Sequence, residues 1–364
     1  MNANTRQLHD LGQRLWLDNI SRELLNSGTL ARYIAELSIT GLTSNPTIFE
    51  KAIGGGALYD ESIRALAAEG LSDEAVFFRL ALQDLTRAAD LFRPTFDTSD
   101  GRDGWVSLEV SPLLAHDTGG TVEAAVQLHA LAARPNLFIK IPGTPAGGPA
   151  IEQAIFEGVP INVTLLFSQA DWLASAEAYL RGIERRIAAD LDPRVESVAS
   201  MFVSRWDVAV AKDVPAPLHN RLGIAVAMQT YKTCGELFAS ARWQRLAAAG
   251  ARPQRLLWAS TGTKDPNAAD TVYIEALAAP QTVNTIPEKT LLAFADHGRV
   301  GAVLAVDGGA SQAALDEFEG AGVDTDALAV RLQQEGVRAF ATSWSGLMAR
   351  IREKRDQSAV SRPA

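Results

Sequence analysis

Eight short apolar runs of strand length recur along the 364-residue chain, separated by helix-like stretches, and this repeat restricts the fold more than any other feature. They fall at about 15 to 19, 38 to 44, 104 to 110, 137 to 142, 160 to 166, 197 to 204, 255 to 261 and 282 to 287. Runs bounded by turns and alternating with amphipathic segments predict strand-helix units and a parallel sheet. The intervening stretches read as helices. Residues 73 to 92 mix Ala75, Val76, Leu80, Leu82 and Leu85 with charges, and 169 to 189 repeat Ala and Leu. Segment 220 to 249 is long and Ala-rich, 325 to 354 predicts a terminal helical region, and the last ten residues are expected to fray. No Pro/Gly/Ser-rich linker divides the chain. The expected architecture is α/β, a (β/α)8 TIM barrel with additional helices: one domain over 1–364 with the barrel at about 15–290. The extra helices are N-terminal, C-terminal and within an insertion at 46–103. A doubly wound sheet is the alternative, but eight strand-helix units fit barrel closure better.

Polar residues interrupt these apolar runs near their C-terminal ends, the active face of such a barrel. They are Asp18, Asn45, Glu109, Lys140, and Asn162 with Thr164. Side chains alternate along a strand, so Lys140 shares a face with Phe138 while Ile139 and Ile141 point away. A lysine between two isoleucines is either paired in the interior or kept for its chemistry. With an ordinary pKa near 10.4, only about 1 lysine in 2,500 is neutral at pH 7, so an amine nucleophile needs desolvation, which an apolar barrel wall provides. A structural Lys140–Glu109 ion pair, or a strand-end lysine reaching solvent, stands equally beside the catalytic reading. Asp18 and Glu109 suit proton transfer. Asp18 also precedes a helical pattern and competes as a helix cap. Arg205 follows the sixth run, and Lys264 follows the seventh in a small-residue loop whose amides suit an anion. Both also read as ordinary surface charges.

Several function classes have little support. A net charge of −9 argues against nucleic-acid partners. Cys234 is the only cysteine, and the five histidines lack ligand spacing, so neither a disulfide nor a metal site is expected. Thr261-Gly262-Thr263-Lys264 lacks Walker spacing, and Gly54-Gly55-Gly56 lacks Rossmann spacing and reads as a loop. No run approaches the ~18 apolar residues of a membrane span, and the first residues are unlike a signal peptide, so a cytoplasmic location without membrane partners is expected.

Two motifs resemble the signatures of transaldolases: Gly41-Leu42-Thr43-Ser44-Asn45-Pro46-Thr47-Ile48-Phe49, and Leu137 through Ala150 around Ile139-Lys140-Ile141-Pro142-Gly143-Thr144. The similarity extends through Leu17-Asp18-Asn19, Val106 to Val110, Ile161 to Ser168 and Ser200 to Arg205, about residues 15 to 290, and looks like the long bacterial branch. The resemblance implies that Lys140 is a Schiff-base lysine, that Asp18 handles the proton of the hydroxyl at the cleaved bond, and that Glu109 with Thr164 positions a catalytic water. It implies that Asn45 and Asn162 hold a dihydroxyacetone moiety, and that Ser200, Arg205 and Lys264 contact a sugar phosphate. Phe202 follows the transaldolase pattern where related aldolases tend to carry Tyr. Met201 and Ser204 stand where the shorter branch carries Pro and Gly, and Lys264 stands where it carries Arg. The implied function is transfer of a dihydroxyacetone unit between sugar phosphates in the pentose phosphate pathway, without cofactor or metal, by a monomer or homodimer. A Schiff-base aldolase that releases dihydroxyacetone, and a non-catalytic sugar-phosphate-binding barrel, are the alternatives.

Overall fold

A computed structural model describes residues 1–360 of the chain. Eight strands close into a barrel in sequence order, every neighbouring pair parallel: β1 (Arg14–Leu17), β2 (Ile39–Leu42), β3 (Val106–Glu109), β4 (Leu137–Pro142), β5 (Ile161–Leu166), β6 (Ser197–Phe202), β7 (Arg255–Ala259) and β8 (Val283–Ile286). Strand β1 seals the ring, with Leu15 opposite Ile39 on one side and Asn284 on the other. The doubly wound alternative is thereby excluded. Seven of the expected runs contain their strand, trimmed by up to three residues, and the first is offset, β1 beginning one residue earlier at Arg14. The trimming is mostly at C-terminal ends, where Asp18, Thr43, Ser44, Ser204 and Thr261 leave the ladder to form the rim.

An aromatic layer fills the barrel interior on the N-terminal side of the polar rim. Trp16 and Phe138 lie with ring centroids 6.0 Å apart, and Trp105 stacks on Phe138 at 4.0 Å. The indole of Trp16 donates to Asp103 Oδ1 at 3.0 Å, and Asp103 in turn pairs with Arg14 at 3.2 Å, so the buried N–H is satisfied. Gly41 leaves room for that ring: a Cβ there would stand 2.6 Å from the Trp105 carbonyl oxygen and 2.7 Å from Trp16 Nε1. Strand β5 carries a bulge. Its register with β6 shifts between Val163 and Leu166, and Leu165 takes a left-handed φ of 59°, rare for a residue with a Cβ.

The 46–103 insertion forms helices Pro46–Gly54, Asp60–Ala68 and Asp73–Thr98. Gly54 ends the first of them, so the triple glycine is partly helical. The Ala-rich segment is two helices, Leu222–Ala239 and Ala241–Ala248, divided at Ser240, whose hydroxyl accepts from the Trp243 amide and caps the second. The terminal helix Thr325–Val360 runs into the segment expected to fray, while 361–364 lie outside the described residues. This helix crosses the C-terminal mouth of the barrel. Gln333 donates to the carbonyls of Gly143 and Leu165 at 3.2 and 3.1 Å, Ser343 bonds Thr47 at 2.7 Å, and Trp344 packs on Phe77 and Phe78. Gly336 permits the approach, since a Cβ there would meet Leu165 Cδ2 at 2.9 Å. Among the described residues, no helix is long and apolar enough to cross a membrane.

Candidate active site

A cavity of about 310 Å³ opens at the C-terminal end of the strands. Lys140 enters it from β4 with 5% of its surface exposed; its Nζ lies 3.2 Å from Glu109 Oε2 and donates to the Ser44 carbonyl at 3.3 Å. Register fixes the arrangement, because β3 sets Glu109 opposite Lys140 and β5 sets Asn162 opposite the same lysine. The ion pair expected as the rival to chemistry is therefore present, and it lies inside the cavity wall. Glu109 is fully enclosed behind Lys140, and Oε1 has no hydrogen-bond partner in the protein; the Thr164 hydroxyl, a wall residue from β5, also has none. Two buried polar oxygens without hydrogen-bond partners in the protein, one beside the amine and one in the wall of the same cavity, are a place where a small polar molecule would be held.

Asp18 leaves the end of β1 at the cavity floor. Part of its surface faces the cavity, and protein encloses the rest. It does not cap the following helix; that role belongs to Ser21, whose hydroxyl accepts from the Leu24 amide. Thr43 donates to Asp18 Oδ1 at 2.9 Å and is itself 2.5 Å from the Thr285 hydroxyl. Burial pushes the Asp18 carboxyl above the ordinary range, opposed chiefly by Lys140 and then by Thr43. Burial likewise raises Glu109, opposed by Lys140, while the Asp18 charge adds to the rise. Both carboxyls are thus displaced toward neutrality, as proton-transfer groups require.

Asn45 lines the cavity and caps helix Pro46–Gly54, its Oδ1 accepting from the Ile48 amide at 3.0 Å, which leaves its Nδ2 hydrogens for a ligand. Asn162 is not in the wall. It lies one layer below, donating to Ser107 Oγ at 3.1 Å and accepting from Ser200 Oγ at 2.8 Å, so it steadies Ser200, which does line the cavity. Arg205, one residue into helix Ser204–Val210, lies over the Phe202 ring at 5.2 Å. Burial holds its guanidinium below the ordinary value, with Glu335 opposing. Lys264 reaches the cavity from the loop after β7. Neither cation has an ion-pair contact among the described residues, so both are open to an anion.

Several wall residues escape sequence reasoning, among them four with a polar or aromatic group to offer the site. Lys51 lies on the same helix face as Thr47 and Ile48, within reach of both this cavity and an adjoining one of about 380 Å³. Its spacing of i, i+4 from Thr47 is the one sequence signal for it. Thr43 and Thr285 read as ordinary strand residues. Phe340 comes from the terminal helix, whose apolar periodicity foretells a buried face but not what it covers. Among the described residues, no group of three or more His, Cys, Asp or Glu is placed to hold a metal ion.

The site therefore offers a buried amine, two flanking carboxyls, amide and hydroxyl groups, and unpaired cations across one small cavity. Residues 15–351 match the family model described as Transaldolase/Fructose-6-phosphate aldolase. The chain is 45% identical over 364 residues to a transaldolase of Saccharopolyspora erythraea, covering 98% of this chain and 99% of that one. It is 46% identical over 363 residues to a transaldolase of Thermobifida fusca (97% and 99% covered), and 42% identical over 340 residues to a transaldolase of Neisseria gonorrhoeae (93% and 97% covered).

Proposed function

Since the chain belongs to the transaldolase family and carries transaldolase activity, we propose that Lys140 is its Schiff-base nucleophile and that the surrounding residues divide the remaining steps. The donor is a ketose phosphate, fructose 6-phosphate or sedoheptulose 7-phosphate, and the acceptor an aldose phosphate, glyceraldehyde 3-phosphate or erythrose 4-phosphate. These are pentose phosphate pathway sugars. The amine attacks the ketone carbon, and the carbinolamine loses water to give an iminium that serves as electron sink. Glu109 exchanges protons with that water, held between its carboxylate and the Thr164 hydroxyl. The unpartnered oxygens of both residues support this role.

Asp18 then takes the proton from the hydroxyl next to the scissile bond; the carbon–carbon bond breaks toward the iminium, and the aldose phosphate departs. Asn45 holds the retained three-carbon unit directly. Asn162 acts on it through Ser200, to which it is hydrogen-bonded. Ser200, Arg205 and Lys264 take the phosphate. Attack of the enamine on a second aldehyde, followed by hydrolysis of the iminium, completes the cycle. The same reading places the enzyme in the cytoplasm as a monomer or homodimer.

The observation that carries this assignment is the Lys140 amine, buried in the cavity wall 3.2 Å from the Glu109 carboxylate. Borohydride reduction in the presence of fructose 6-phosphate is expected to fix a stable added mass on the Lys140 peptide. An unmodified peptide under turnover conditions would overturn the assignment.

A further inference from the structure

The Lys140 amine has polar groups of the barrel on one side and an aromatic ring of the terminal helix on another. Glu109, the Ser44 carbonyl and Asp18 face it from the barrel, whereas the ring centroid of Phe340 stands 5.6 Å from Nζ on the terminal helix. Phe340 is 5% exposed and forms part of the cavity wall. It is held from both directions along its helix: seven residues earlier by Gln333, bonded to two barrel carbonyls, and just after by Ser343 and Trp344, docked on the insertion helices. Residues 333, 336, 340, 344 and 347 share one helix face, so the ring is aimed by the whole docking surface. An apolar ring neither gives nor accepts a proton, and it fills space that water would otherwise occupy.

We infer that Phe340 is a specificity-determining residue for this reaction: by closing the solvent side of the Lys140 adduct, it commits the bound three-carbon unit to transfer rather than release. The inference rests on the Schiff-base reading above. After the carbon–carbon bond breaks, the enamine carbon holds an electron pair with two outlets. In transfer, the pair forms a bond to the acceptor aldehyde carbon, and the aldehyde oxygen takes its proton from Asp18. In release, the carbon takes a proton from water. The hydroxide left behind takes back the proton that Asp18 removed in cleavage and becomes water again; this water adds to the iminium carbon, its surplus proton passes to Glu109, the bond to Lys140 breaks, and free dihydroxyacetone departs with one water consumed, matching the one lost when the Schiff base formed. A further mobile water at the enamine carbon, beyond the one held between Glu109 and Thr164, is what the second route requires before the acceptor arrives, and the Phe340 ring closes the terminal-helix side of the amine.

The test is Phe340→Ala and Phe340→Leu in the full chain, supplied with fructose 6-phosphate and limiting erythrose 4-phosphate, with free dihydroxyacetone and sedoheptulose 7-phosphate both quantified. The share of turnovers ending in free dihydroxyacetone is expected to rise about tenfold in the alanine variant and about threefold in the leucine variant, with the Lys140 peptide still trapped by borohydride. A purely structural role would lower total turnover and leave this ratio alone. An unchanged ratio in a folded variant with an intact adduct overturns the role of Phe340; if the alanine variant does not fold, the leucine variant decides on the same ratio. Absence of the adduct in the unmodified enzyme would overturn the Schiff-base reading and this inference with it.

Discussion

The hydroxyl of Thr43 illustrates how far one atom governs the chemistry at the floor of the cavity. It donates to Asp18 Oδ1 and so favours the carboxylate against burial, which pushes the other way. Thr43→Val removes that bond, so the Asp18 carboxyl rises further and more of it is protonated at a given pH. A base must be deprotonated to act, and the acid limb of kcat/KM should therefore move to higher pH by about half to one pH unit, the alkaline limb staying in place. A pH–rate profile checks both limbs. Lys51 has no ion partner among the described residues and reaches the cavity from the wall that follows β2, across the barrel from the phosphate-side cations. Lys51→Gln is expected to raise KM for sugar phosphates about threefold with kcat nearly unchanged, as steady-state kinetics would show, because an exposed cation aids binding without touching the reacting atoms. Sequence made Lys140, Asp18 and Glu109 legible because a charge inside an apolar run is anomalous. Lys51 was illegible because a lysine on an amphipathic helix is what solvent alone would select. Asn162 was legible as important, but its engagement with Ser107 and Ser200 depends on cross-strand register that no single strand records.

Strands were readable for the same physical reason: each is wrapped by helices and must be apolar on both faces. Their ends were less so, since the polar rim residues continue the composition of the run after the ladder has stopped. The bulge at Leu165 had no sequence signal, because a leucine gives no sign of a left-handed φ. Close helix approach is another property of the assembled elements. Gly147 opens helix Gly147–Phe156 directly against the end of β4, and a Cβ there would overlap the Pro142 carbonyl oxygen. Gly147→Ala must push the helix away from the strand that carries Lys140. We expect a loss of about 3 kcal/mol or more in urea-induced unfolding, together with reduced turnover. Wild-type stability in that variant would contradict the tight contact.

Across the whole molecule, charge and site are opposed: the chain carries −9, yet the cavity gathers Lys51, Arg205 and Lys264 around its mouth and walls. Local potential in a low-dielectric cleft outweighs distant charge of the other sign. Raising ionic strength from 0.01 to 0.15 M, which shortens the screening length from about 30 to about 8 Å, should lower kcat/KM for an anionic sugar by about threefold. A rise would mean that overall repulsion dominates. The barrel was legible at this scale from its eight repeats, whereas the passage of the terminal helix over the mouth was not, because periodicity marks a buried face without naming what it buries. Barrel closure also has a bearing on time. Strand β1 cannot complete its pairing until β8 has been made, some 270 residues later in synthesis, and Phe340 follows later still. A growing chain therefore carries the lysine of β4 well before any cavity exists around it, and it becomes an enzyme only after β8 and the terminal helix have emerged.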